Sequence, residues 1–179
     1  MSDDRRDPDS LRARVDSLER VPALVRDRHL SVLVSNALAR SLSPGFAEGV
    51  NLARYAFIES ADCAGASGWD AATSQIAAML RESLDNHQGD GPFRRIVGEL
   101  SATSAAFSEA WADEAPPARQ GVATFLDTEV GDLTLLYREE WLDDSQAEAL
   151  MLLFGVDSDN AEKLEALASI IDNGRSAGT

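Results

Sequence analysis

Residues 121–141, "GVATFLDTEVGDLTLLYREEW", decide the fold. Val122, Thr124 and Leu126 recur at every second position, the chain turns across Thr128–Gly131, and Leu133, Leu135 and Tyr137 then alternate again. A period of two marks half-buried strands, so the spacing predicts a hairpin. A hairpin alone is marginal in water and needs more strands beside it. The first follows at 147–156, "AEALMLLFGV", an unbroken apolar run of strand length between polar loops, as expected for a central strand. Two more lie far upstream in "VPALVRDRHLSVLVSN" (21–36). There Pro22 ends the preceding helix, a turn is expected at Asp27-Arg28, and Leu30, Val32 and Val34 alternate after it. Joined, the two blocks predict one five-stranded antiparallel sheet in an α+β domain.

Between the blocks the apolar period lengthens to that of helices. Asn36 caps a short helix that ends before "SPG" at 43–45, and a second helix is predicted at about 50–59. "SADCAGASG" (60–68) reads as a loop of small residues. From Trp69 to Asn86, Trp69, Ala72, Ile76, Met79, Leu80 and Leu84 share one helix face. The region from Pro92 to Ala112 is also helical, broken near Thr103-Ser104, where Ser104 can cap a separate helix carrying Phe107 and Trp111. This insert between strands two and three should cover one face of the sheet. Flanking helices are expected at both ends: one from Asp9 or Ser10 with Leu11, Val15 and Leu18 as its face, and one capped by Ser158 with Leu164, Leu167 and Ile171. The expected organisation is a flexible segment running into the first helix at 1–14, one domain at 15–172, and a flexible tail at 173–179.

Charge and composition exclude several functions. The net charge is −15, all of it in residues 31–179, because the first thirty residues hold seven Arg against seven Asp or Glu. Such a surface repels phosphate backbones, and no basic stripe offsets it, so direct nucleic-acid binding is not expected. No leader and no apolar run of spanning length is visible, which points to a cytoplasmic protein with no membrane partner. Cys63 is the only cysteine, so no internal disulfide can form. His29 and His87 are the only histidines and lie in no nucleophile–base or metal-ligand spacing. The pairs Glu139-Glu140 and Asp143-Asp144 read as solvated charge after a strand. "DSDNAEKLE" (157–165) lacks the Gly and terminal Glu of a calcium loop. No catalytic residue, metal site or cofactor is therefore assigned.

"PFRRIVGELSATSAAFSEAWA" (92–112) is the most distinctive segment. Its Val97–Ser101, Ser104, Phe107 and Trp111 resemble the C-terminal MmyB-like ligand-binding domain of bacterial helix-turn-helix regulators of the XRE class. The resemblance continues in Asn51, Leu52, Arg54 and Phe57, in the Trp69-led helix ending at "LRESL", and in "EVGDLTLLY" (129–137). It covers roughly residues 15–172. It implies a PAS-like sensory domain with an apolar cavity for a fatty-acyl ligand, acting in transcription regulation. Only about fourteen residues precede the matched region, too few for the family's DNA-binding head, so a stand-alone sensor is expected. The family often carries a histidine soon after the Trp and a His-Pro before the Val-Gly; here Asp113, Glu114 and Ala115, and Asp127-Thr128, stand there.

The expected cavity wall is Phe57, Trp69, Ile76, Met79, Leu80, Phe107 and Trp111 from the helices, with Leu135 and Leu152 from the sheet. Arg54 and Tyr137 are the expected polar anchors, because a guanidinium pairs with a carboxylate through two hydrogen bonds and a phenol can donate one. The blander reading of these residues is that the aromatics fill the core and Arg54 makes a surface ion pair. The alternative function is an interaction module that pairs with or titrates a separate DNA-binding regulator, a homodimer being a further expected partner.

Overall fold

The computed structural model describes residues 8–60, 68–87 and 90–177. Cys63, most of the small-residue loop and the charged segment 1–7 lie outside the described residues. Helix α1 (Pro8–Asp16) leads into β1 (Ala23–Asp27) and β2 (Val32–Ser35). The insert follows: α2 (Ala37–Leu42), a 3-10 turn (Pro44–Phe46), α3 (Leu52–Arg54), one π-helical turn (Tyr55–Glu59), α4 (Trp69–Asn86), α5 (Gly91–Thr103) and α6 (Ala105–Ala112). Then come β3 (Gln120–Thr128), β4 (Gly131–Trp141), β5 (Glu148–Gly155) and α7 (Ser158–Ala177). The strands form one antiparallel sheet in the order β2-β1-β5-β4-β3. The apolar run at 147–156 is thus the central strand that joins the two hairpins.

The sheet separates two cores. On its inner face Leu24, Leu133, Leu135, Met151 and Leu153 pack beneath the insert and α7. On its outer face Ala23, Val25, Val34 and Leu150 pack against Leu11 and Val15 of α1. Asn36 stitches these layers together. Its Oδ1 accepts from the Ala39 N–H, capping α2, and from the Ala23 N–H of β1. Its Nδ2 donates to the carbonyls of Leu18 and Val21 at 2.9 and 2.8 Å.

The structure corrects several expectations. The first turn spans residues 28–30, with Leu30 buried in it at φ 67°, rather than bending at Asp27-Arg28. A bulge opposite Val25/Arg26 leaves Leu33 unpaired, so Val32 joins the inner core and Val34 the outer one. In β3 the buried phase is the opposite of that expected. Ala123 and Phe125 pair with Leu135 and Leu133 on the inner face, leaving Val122 and Leu126 outside at 57% and 47% exposure. Leu152 pairs with Ala23 and faces outward as well; Met151 and Leu153 are the inward residues of β5. An unbroken apolar run has no alternation from which to choose between these faces.

Glu139 is not in a solvated loop but inside β4, on the inner face with Tyr137 and Leu135, and is 4% exposed. The cap of α7 is Asp157, whose Oδ1 accepts from the Asn160 N–H at 2.9 Å, not Ser158. The same helix runs to Ala177, so residues 173–177 are helical rather than a tail; Gly174 weakens a helix interior by about 1 kcal/mol but does not end it. The contact between α7 and the sheet is close. A Cβ added to Gly155 would lie 2.4 Å from the backbone N of Ala161, so only glycine fits there.

Candidate ligand site

The helical insert brings its aromatic residues together. The rings of Phe57 and Phe107 meet edge to face at 5.1 Å between centroids, and Phe107 and Trp111 lie 5.3 Å apart. Phe57 stands on the π-helical turn, whose extra residue per turn re-aims the side chains that follow. Phe107 and Trp111 stand four apart on α6. That helix begins at Ser104, whose Oγ accepts from the Phe107 N–H at 3.1 Å. It ends against Arg81 of α4, which donates to the carbonyls of Ala110 and Trp111 and lies 5.0 Å over the Trp111 ring. A cation at the C-terminus of a helix meets carbonyls that have no partner within the helix. Eight residues long and fastened at both ends by side chains, α6 is a discrete cover over the core.

Of the expected wall residues, Phe57, Met79, Leu80, Phe107 and Leu135 meet in the inner core. Trp69, Ile76 and Trp111 border it in partly buried positions. Leu152 is separated from them by the sheet. Tyr137 borders the same core, and its phenol faces Gly121, where a Cβ would come within 2.6 Å of the oxygen. Burial, reinforced by the charge of Glu139, holds the Tyr137 hydroxyl above its ordinary pKa, so it stays a neutral donor. Arg54 is already engaged: its Nε donates to Glu99 Oε2 at 2.9 Å across to α5, with both side chains about 40% exposed. Arg54 and Tyr137 therefore stand at different depths, one at the rim and one beside the core.

Phe107, Leu80, Leu100, Leu133 and Leu135 are fully buried in this structure. Two of the hollows among the described residues lie elsewhere. One, of about 20 Å³, sits between α1, α2 and α7 beside Asn36 and Ile171. The other is a surface groove of about 460 Å³ between α4 and residues 114–117, lined by Ala78, Ala115 and Pro117 together with Arg81, Glu82, Asp85 and Glu114.

Two polar clusters that sequence spacing did not reveal fix the insert to the sheet. Arg26, fully buried on β1, and Arg119 both donate to Glu139, and Arg119 continues to Glu82 of α4. At the other end of the insert, Asp90 caps α5 while its Oδ2 meets His29 Nε2 at 2.6 Å and an Arg28 nitrogen at 2.7 Å. The signal for Glu139 was its place in the alternation after Leu133, Leu135 and Tyr137; Asp90 carried no such signal. His87 closes α4, its ring against the carbonyls of Ser83 and Ser145. Among the described residues no group of three His, Cys, Asp or Glu is placed to hold a metal ion, and no helix is long and apolar enough to cross a membrane.

Burial acts to raise the Asp90 carboxyl, but the hydrogen bonds from His29 and the Phe93 N–H, with the charges of His29 and Arg28, outweigh it and hold the group below its usual range. A carboxyl whose folded value lies below the unfolded value of about 3.9 contributes stability above that value and loses it as pH falls through the folded one. Asp90→Asn keeps the cap and removes the charge. Its deficit in unfolding free energy relative to wild type, present above about pH 4, should close as pH drops below that value. Urea titrations at stepped pH read this directly. A deficit that persists unchanged into acid would refute the assignment.

A five-stranded antiparallel sheet of order β2-β1-β5-β4-β3, covered on one face by a helical insert, is a PAS-like fold. The family description "MmyB-like transcription regulator ligand binding domain" matches residues 8–167, and the chain belongs to that family. It is thus a ligand-binding domain of the transcription-regulator type. None of the curated proteins matches the chain in sequence.

Proposed function

We propose that this domain senses a small apolar effector of the fatty-acyl class, taken up between the helical insert and the inner face of the sheet. The observation that carries the reading is the chain of rings Phe57–Phe107–Trp111, roofed by a short helix with its own cap at each end. Each methylene moved from water into such surroundings contributes about 0.8 kcal/mol. In the closed form these rings fill the core, so entry of an acyl chain requires α6 to lift. The carboxylate would be met at the rim by Arg54, exchanging Glu99 for the ligand, or deeper in by the neutral Tyr137 phenol. Neither anchor uses the histidines common in the family. Native mass spectrometry of the purified chain, with lipid extraction and a panel of fatty acids of graded length, tests this. Adducts that grow in occupancy with chain length are expected; no adduct across the panel overturns the acyl reading.

A second reading, docking of a separate DNA-binding regulator, is favoured by the groove beside α4. Asp85 and Glu114, which line it beside Arg81, suit a partner made basic by the need to bind phosphates. Co-purification with no partner recovered counts against it.

A further inference from the structure

The outer face of the sheet is only half covered. Helix α1 lies over the β1 and β2 side. Across the other side an apolar row stays open, in which Val122 pairs with Leu136 and Leu136 with Phe154. Val122 is 57% exposed and Phe154 36%. The next row along holds Thr124 and Thr134, whose hydroxyls bond to each other at 3.2 Å. An exposed apolar row of this kind is one that folding leaves for another surface to cover.

β4 carries charge of both signs on this face. Side chains at every second position of β4 point outward, so Asp132, Thr134, Leu136, Arg138 and the exposed Glu140 share the outer side. Asp132 and Arg138 stand about 10 Å either side of residue 135 at the rise of a strand. Both are exposed, and Arg138 has no ion-pair partner among the described residues. A two-fold axis crossing β4 at residue 135 would place Arg138 of one protomer over Asp132 of the partner subunit, and would do so twice. The apolar and threonine rows would close between the two pairs. A basic partner, which the acidic remainder of the chain attracts, gains nothing from Arg138 here, whereas a second copy satisfies both ends of the face at once.

We propose that the chain pairs with a second copy of itself through the outer face of β3, β4 and β5. The inference is independent of the acyl reading. A contact of three short strands buries on the order of 1,000 Å² in total, the low end for specific association, so pairing belongs in the micromolar range. Sedimentation velocity of the full chain from low micromolar to several hundred micromolar is expected to show a concentration-dependent dimer. Arg138→Asp and Asp132→Arg, each of which turns two opposite-charge contacts into like-charge ones, should each weaken it by about tenfold or more. The double variant, with both contacts re-formed in reverse, should recover most of that loss. Phe154→Glu should leave only monomer, with an unchanged circular dichroism spectrum and melting temperature showing that the fold persists. A chain that stays monomeric throughout overturns the proposal. So does a dimer that ignores Phe154→Glu, or single charge swaps whose effects simply add in the double variant.

Discussion

Replacing Glu139 by alanine should lower the unfolding free energy by about 3–5 kcal/mol, the cost of removing one partner from a buried ion pair. At about 2–4 °C per kcal/mol for a chain of this size, the melting temperature falls by roughly 10 °C. The reason is that Glu139 neutralises two guanidiniums. Arg26 donates to it through Nε at 2.9 Å and Arg119 through a terminal nitrogen at 2.6 Å, and the side chains of Arg26 and Glu139 are each 1% exposed. Both guanidiniums also lie over the Trp141 ring, at 5.0 and 4.4 Å from its centroid. Without the carboxylate, Arg26 is a buried cation facing a second cation. Arg26→Met combined with Glu139→Leu removes the buried unpaired cation, leaves Arg119 its Glu82 partner, and should recover much of the loss, because well-packed apolar residues can replace a buried pair at little cost. Urea denaturation of the single and double variants reads both effects. A loss below about 1 kcal/mol for Glu139→Ala would place the pair in water instead.

Phe107→Ala is expected to cost about 3–5 kcal/mol, the range for deleting a large ring from a packed core. Phe107 is fully buried and touches a ring on each side, so the space it leaves is lined by Phe57 and Trp111 and stays dry. A dry apolar hole is also a better acyl site than the filled core. Fatty acid added in excess should therefore raise the melting temperature of the variant more than that of the wild type. The two measurements separate cleanly. The stability loss tests the packing, and the ligand shift tests the acyl reading. If fatty acid moves neither melting temperature, the acyl reading fails while the packing stands.

The sheet, the insert and most helix ends were legible because each had a local cause. Asn36 and Ser104 accept the N–H groups that a helix start leaves over, and α4 keeps one apolar face from Trp69 to Leu84. What could not be read was which face of a strand turns inward. The bulge at Leu33 sends Val32 and Val34 to different cores, and nothing in "SVLV" marks the extra residue. Val122 and Leu126 alternate as a buried pair would, yet β3 is an edge strand, and its inner side is set by pairing to Leu133 and Leu135. The same ambiguity put Leu152 in the expected wall in place of Met151 and Leu153. The site was legible as a group of aromatic residues but not as an arrangement. Arg81, which closes α6, and Asp90, which holds α5, act through carbonyls and side chains thirty or sixty residues distant.

The bare contact between Gly155 and Ala161 has a mechanical consequence. Where two elements meet through side chains, a change of rotamer can absorb small shifts. Here the backbone of β5 touches the backbone of α7, with no side chain between them to yield. The first turn of α7 is therefore fixed to the end of the central strand, while Leu164 and Leu167 farther along the helix meet the core through side chains that can adjust.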